Sequence, residues 1–171
     1  MLLLTPLWPA YGEACRRRDV RWIRKNLSFS LWLVCGSILV LGAVLFWQGD
    51  TLMQWWLGRP FAGSRTIIAG MTAGFLLRAW VDCRSVVLNS AGYAREQLSY
   101  WVAQAFLHLV LSLILMRMAG VAGVAWAAPL SALLTTTWGY PLLMRTLFKR
   151  MEAGAPASNP ILSRAVATST P

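Results

Sequence analysis

Two ionisable side chains, Arg78 and Asp82, stand inside a long apolar run. A charged side chain at the centre of a bilayer costs about 3 kcal/mol on insertion scales. Spaced i, i+4 on a helix, a guanidinium and a carboxylate face each other and partly neutralise that cost. Ser85 and Asn89 continue the same helical face. Two readings follow: the face lines a polar cavity that holds an anionic headgroup, or the pair is a buried ion bridge that fixes helix packing. Intramembrane charges mark functional sites by default, so Arg78, Asp82 and Asn89 are expected to line a cavity. Arg84, nearer the end of the run, is expected to extend its head outward to water. A second polar row, Gln97, Gln104, His108 and Ser112, has spacings of seven, four and four and so shares one helical stripe. Hydrogen bonding between helices accounts for such a row. The alternative is cavity lining by Gln104 and His108, or proton carriage by His108, and a single His favours the hydrogen-bonding reading.

Other chemistry finds no support. The chain has no Gly-rich phosphate loop, no HExxH and no spacing that assembles a Ser/His/Asp set. An enzyme, a built-in ATPase and a cofactor are therefore not expected. Cys15, Cys35 and Cys83 are far apart and form neither a CxxC nor a metal-ligand pattern.

The elements that carry these rows are long and apolar. Of 171 residues, 57% are hydrophobic and only 13% charged, where soluble domains carry about 25%. A spanning helix needs about 20 mostly apolar residues, and four stretches qualify: Leu27 to Trp47, Thr66 to Leu88, Leu98 to Met116 and Val121 to Leu143. The expectation is an all-α membrane protein of about four transmembrane helices plus an N-terminal interfacial helix. Residues 1–26 read as the end of a preceding helix followed by a basic interfacial loop helix, residues 27–147 as the four-helix bundle, and residues 148–171 as a disordered tail. Leu2-Leu3-Leu4 is too short for a signal peptide, no charge precedes it, and Pro6 and Pro9 follow at once. Gln48-Gly49-Asp50 is expected to end the first span, with Trp55-Trp56 anchoring the next loop at an interface. Residues 89–96 and Arg117-Met118-Ala119-Gly120 read as turns. Along the fourth span Gly123, Ala127, Ser131 and Thr135 recur every four residues, a spacing that lets helices approach closely. Pro129 removes a backbone donor and is a candidate kink.

The net charge of +10 suggests nucleic acid at first sight. The bases instead cluster at the ends of apolar runs, as cytoplasmic loops do, and meet anionic headgroups favourably. Ten Lys and Arg fall in residues 9–26, the 89–96 turn and residues 145–150; only Arg59, Arg65 and Arg117 fall on the other side. The positive-inside rule then puts both ends in the cytoplasm. Membrane lipids, not nucleic acid, are the expected surroundings.

The string Pro6-Leu7-Trp8-Pro9-Ala10-Tyr11-Gly12-Glu13-Ala14-Cys15-Arg16-Arg17-Arg18-Asp19-Val20-Arg21-Trp22 resembles a cytoplasmic loop of O-antigen and related polysaccharide flippases. These belong to the multidrug/oligosaccharidyl-lipid/polysaccharide exporter superfamily. Weaker matches are Arg78-Ala79-Trp80, Leu88-Asn89-Ser90-Ala91-Gly92 and Gly120-Val121-Ala122-Gly123-Val124-Ala125, and the resemblance covers about residues 5–148. Two departures stand out: Arg18 replaces the usual Gly before the Asp, and Ser90-Ala91 replaces a Gly-type turn. The resemblance implies a two-lobed flippase in a bacterial inner membrane. Such a protein moves an undecaprenyl-diphosphate-linked oligosaccharide between leaflets by alternating access. This chain would then supply the last four helices and a stub of the one before, with the missing N-terminal lobe or another chain completing the cavity. Another transporter of the superfamily, exporting drugs or a peptidoglycan precursor, and a small non-catalytic membrane subunit or scaffold stay open beside it.

Overall fold

A computed structural model describes residues 7–58 and 64–153, and all its secondary structure is helical. The elements are α1 (Leu7–Arg16), α2 (Val20–Leu57), α3 (Ser64–Ser90), α4 (Ala94–Leu134) and α5 (Thr136–Glu152). Three stretches are long and apolar enough to cross a membrane: Val20–Trp56, Arg65–Ser90 and Ala94–Glu152. Residues 1–6, including the Leu2-Leu3-Leu4 run, lie outside the described residues, as does most of the expected tail, 154–171.

The helix ends are set by caps rather than by hydropathy. Asp19 accepts the backbone N–H of Trp22 at 2.9 Å and starts α2 there. The basic residues Arg21 to Lys25 are therefore the first turns of α2 itself. The segment 9–26, expected to carry a basic interfacial helix, is divided at Asp19 between α1 and the start of α2. At the other end α2 continues past Gln48-Gly49-Asp50 to Leu57, and Gly58 closes it in the left-handed conformation (φ 67°) with its N–H on the Gln54 carbonyl. Within the helix Gly49 packs closely against Ile68, and Asp50 pairs with Arg65 at 2.9 Å. With 38 residues α2 is about 57 Å long, nearly twice a hydrocarbon core of about 30 Å.

The last stretch is not one straight helix. Gly120 has φ 62° and ψ −143°, outside helical space. Gly123 packs back on the carbonyl of Leu115, and Gly139 packs on the ring of Tyr100. Both pairs straddle Gly120 symmetrically, so the chain doubles back there and the two limbs of α4 run antiparallel. A further break falls at Thr135 (φ −121°, ψ −82°), not at Pro129. The hydroxyls of Thr135, Thr136 and Thr137 take the carbonyls of Ser131 and Ala132, competing with the backbone ladder. Residues 148–152, expected in the tail, belong to α5, and Leu147 and Met151 are buried.

At the basic end α1 docks against α2 and α3. Tyr11 and Cys15 of α1 join Ile23 and Leu27, Val87 and Leu88, and Tyr140, Met144 and Leu147 in one buried cluster. Tyr11 packs edge-on to Trp22 with ring centroids 5.6 Å apart. Burial pushes the Cys15 thiol up to about 11. On the exposed side of α1, Arg16 and Arg17 pair with Glu13 and hold its carboxyl below the ordinary range.

The α1–α2 elbow gives the first prediction. Arg18 occupies the left-handed region (φ 57°) that disfavours a side chain, and it is the position where the resemblance expects glycine. Arg18→Gly is expected to stabilise the fold by no more than about 1 kcal/mol, the relief of strain being offset in part by unfolded-chain entropy. Thermal unfolding in detergent checks this; a clear fall in midpoint would contradict the elbow geometry.

Candidate functional site

Arg78 sits near the middle of α3, about 18 Å from the helix end at Ser90. Its Nε donates to Asp82 Oδ2 at 3.1 Å and lies 3.0 Å from Oδ1. Asp82 is buried, and its Oδ1 accepts no hydrogen bond of good geometry. The guanidinium lies 4.1 Å from the centroid of the Trp101 ring on α4. That ring is fixed in turn, because Trp101 Nε1 donates to the Tyr140 hydroxyl of α5 at 2.6 Å. Three helices thus orient one cation: α3 through Asp82, α4 through the ring face, α5 through the ring nitrogen. Only Nε is engaged by a hydrogen bond, so the terminal N–H groups remain free to donate among the described residues.

Those groups border a cavity of about 370 Å³ between α3 and the two limbs of α4. One wall carries Arg78, Trp101, Gln104 and His108. One turn and two turns before Arg78 on the same stripe of α3, Gly74 and Gly70 make a small, apolar part of the wall against Ala125 and Ala128 of the second limb. Close backbone approach makes that wall: a Cβ at Gly70 would lie 3.1 Å from the Ala125 carbonyl. The His108 Nδ1 and Ser112 Oγ atoms are buried without a hydrogen-bond partner. In hydrocarbon such groups need water or a ligand to satisfy them.

The cavity brings together three of the five residues expected to line it: Arg78, Gln104 and His108. Asp82 is not on its surface but stands behind Arg78 and orients it. Asn89 lies about 16 Å along α3 from Arg78, too far to reach the cavity. It belongs to a separate network at the α3–α4 turn. There Ser85 Oγ donates to Gln97 Oε1 (2.6 Å), and Gln97 Nε2 donates to Asn89 Oδ1 (2.8 Å) and to the Tyr93 carbonyl (3.1 Å). This network joins α3 to α4, so Gln97 serves helix packing while Gln104 and His108, on the same stripe, face the cavity. Arg84 does not extend outward: its Nη1 donates to the Trp80 carbonyl at 2.9 Å and its guanidinium covers the Trp80 ring at 3.5 Å. The helix stripe Gly123, Ala127 and Ser131 is buried at close contacts, whereas Thr135 marks the helix break.

Trp101 escaped the sequence reading, though an intramembrane Arg calls for a desolvated partner and an aromatic face is one. Gly70 and Gly74, at small-xxx-small spacing, were the other available signal. Chemically the site offers fixed N–H donors, one amide and one imidazole in an apolar frame, suited to holding an anionic group. Among the described residues no group of three or more His, Cys, Asp or Glu side chains could hold a metal ion. No family model, curated protein or solved structure matches the chain.

Proposed function

We propose that the chain is the C-terminal part of a flippase that translocates an undecaprenyl-diphosphate-linked polysaccharide unit across a bacterial inner membrane by alternating access. In this reading α2, α3 and the two limbs of α4, the second continued by α5, are four crossings of one lobe. The observation that carries it is Arg78: a mid-membrane guanidinium, held by Nε and by a ring face, with its terminal donors free at a cavity. The loop resemblance at residues 6–22 supports the family, and the left-handed Arg18 supports the alignment, since a glycine is the natural occupant there.

The test is direct binding. Native mass spectrometry of the purified chain is expected to retain undecaprenyl diphosphate in preference to undecaprenol, which has the same tail without the charge. Equal retention of the two lipids would remove the basis for the reading.

Orientation gives a second expectation. Both ends and Arg95 lie in the cytoplasm, and Gly58 faces the periplasm, from the asymmetry of Lys and Arg. With the natural cysteines replaced, a membrane-impermeant maleimide is expected to label Gly58→Cys and spare Arg95→Cys in intact spheroplasts. The reverse pattern refutes the orientation.

A further inference from the structure

Viewed down α2, residues four apart form inclined rows, and a groove runs between adjacent rows. One such row is Arg21, Lys25, Phe29, Leu33 and Ser37. The neighbouring row contains Trp32, Gly36 and Val40. All but Gly36 are exposed on the side of α2 turned away from the bundle. Between the rows lies an apolar groove of about 590 Å³. Gly36 opens its middle: a Cβ added there would meet nothing within 4 Å. Ser37 does not make the groove polar, because its hydroxyl is already donated to the Leu33 carbonyl at 2.7 Å. The groove therefore accepts a hydrocarbon chain.

What stands at its head decides the occupant. The row that forms one edge of the groove continues into Arg21 and Lys25, both exposed and neither with an ion-pair partner among the described residues. Arg24, next to them, is already engaged by Glu152 at 3.7 Å and by the Phe148 ring. Gly36 lies about 16 Å below Lys25 along the helix axis, within the hydrocarbon if Lys25 is at the headgroups. Trp32, 81% exposed, stands between them, where an interfacial aromatic belongs.

We propose that α2 carries a site for an anionic phospholipid, with the headgroup phosphate on Arg21 and Lys25 and an acyl chain in the groove over Gly36. The site is on the outer face of the bundle and independent of the Arg78 cavity. A second copy of the chain would fit the apolar groove but not the cations, since two copies meeting there bring like charges together. A zwitterionic lipid fits the groove but gains less from the two cations.

The purified full chain, reconstituted in nanodiscs of phosphatidylethanolamine with or without phosphatidylglycerol, provides the test. On extraction, native mass spectrometry is expected to show phosphatidylglycerol retained in preference to phosphatidylethanolamine. The double variant Arg21→Gln/Lys25→Gln is expected to weaken that retention about thirtyfold at low salt. Gly36→Leu, which fills the groove, is expected to reduce it with the cations intact. Arg145→Gln, which removes an exposed cation on α5, is expected to leave it unchanged. Helix content by circular dichroism confirms that each exposed variant is folded. Retention unaffected by either α2 change, equal loss in Arg145→Gln, or a dimer abolished by Gly36→Leu would each overturn the proposal.

Discussion

Replacing Arg78 by Lys is expected to reduce retention of undecaprenyl diphosphate at least tenfold while leaving the amount of folded chain near normal; Ala removes the same donors but also leaves the buried Asp82 carboxylate without its cation and lowers the yield. The magnitude follows from what is removed. A hydrogen bond to a charged group contributes about 1.5–3 kcal/mol, which is a factor of about 10–100 in affinity. Lys keeps the charge but not the planar fork, and Arg78 uses its fork in three directions at once: Nε to Asp82, the ring face to Trp101, the terminal donors to the cavity. An ammonium cannot hold all three. Asp82→Asn behaves differently. It leaves the guanidinium without its carboxylate, and the side chain of Arg78 is 46% exposed in the described structure, so the full cost of a stranded buried charge is discounted to about 1–2 kcal/mol. The ligand reading therefore predicts that Arg78→Lys loses binding and keeps abundance. If Arg78 serves packing alone, the order inverts: Asp82→Asn depletes folded protein more than Arg78→Lys, and Arg78→Lys binds the diphosphate lipid normally. Measuring retention and detergent-extracted yield on the same preparations separates the two.

Why these residues were legible and others not has a physical reason. Arg78 and Asp82 announce themselves because hydropathy makes a charge in an apolar run expensive, and their i, i+4 spacing needs no tertiary information. Gln104 and His108 were placed on one stripe for the same reason. Trp101 was not, since an aromatic in a membrane helix looks like any lipid-facing residue until the register of α3 against α4 is known. Hydropathy also reports where lipid begins rather than where a helix ends. For α3 the two coincide, and Thr66 to Leu88 falls within Ser64–Ser90. For α2 they part by seven residues at the start and ten at the end, because Asp19 and Gly58 set the caps while the polar turns between remain helical. The docking of α1 was hidden for a related reason: an amphipathic helix with Tyr11 and Cys15 on one side buries that side equally well in headgroups or against protein. The reversal at Gly120 was legible as a short Gly-ended turn, but the break at Thr135 was not, because it depends on three successive hydroxyls choosing backbone carbonyls.

The hairpin at Gly120 makes the remaining expectation the sharpest on stability. Gly123→Ala is expected to destabilise the fold by about 1–3 kcal/mol, the range for inserting volume into a packed contact. Two effects oppose each other. Alanine favours a helix over glycine by up to about 1 kcal/mol. Against that, the new methyl would overlap the carbonyl oxygen and carbon of Leu115. Those atoms are backbone and themselves helical, so neither rotamer change nor side-chain swing relieves the overlap; the two limbs must separate. Separation widens the cavity wall that Ala125 and Ala128 complete with Gly70 and Gly74, so binding falls together with stability. Gly139→Ala is milder, because its methyl meets the Tyr100 ring, a side chain able to tilt, although tilting disturbs the ring pair with Tyr140 at 6.5 Å. Gly12→Ala, where a Cβ meets nothing within 4 Å, keeps only the propensity gain and is expected to be neutral or stabilising. The same substitution thus runs from harmful at Gly123 through intermediate at Gly139 to favourable at Gly12. Thermal unfolding of the three variants in one detergent gives the order, and a midpoint for Gly123→Ala at or above that of Gly12→Ala would rule out the antiparallel packing of the two α4 limbs.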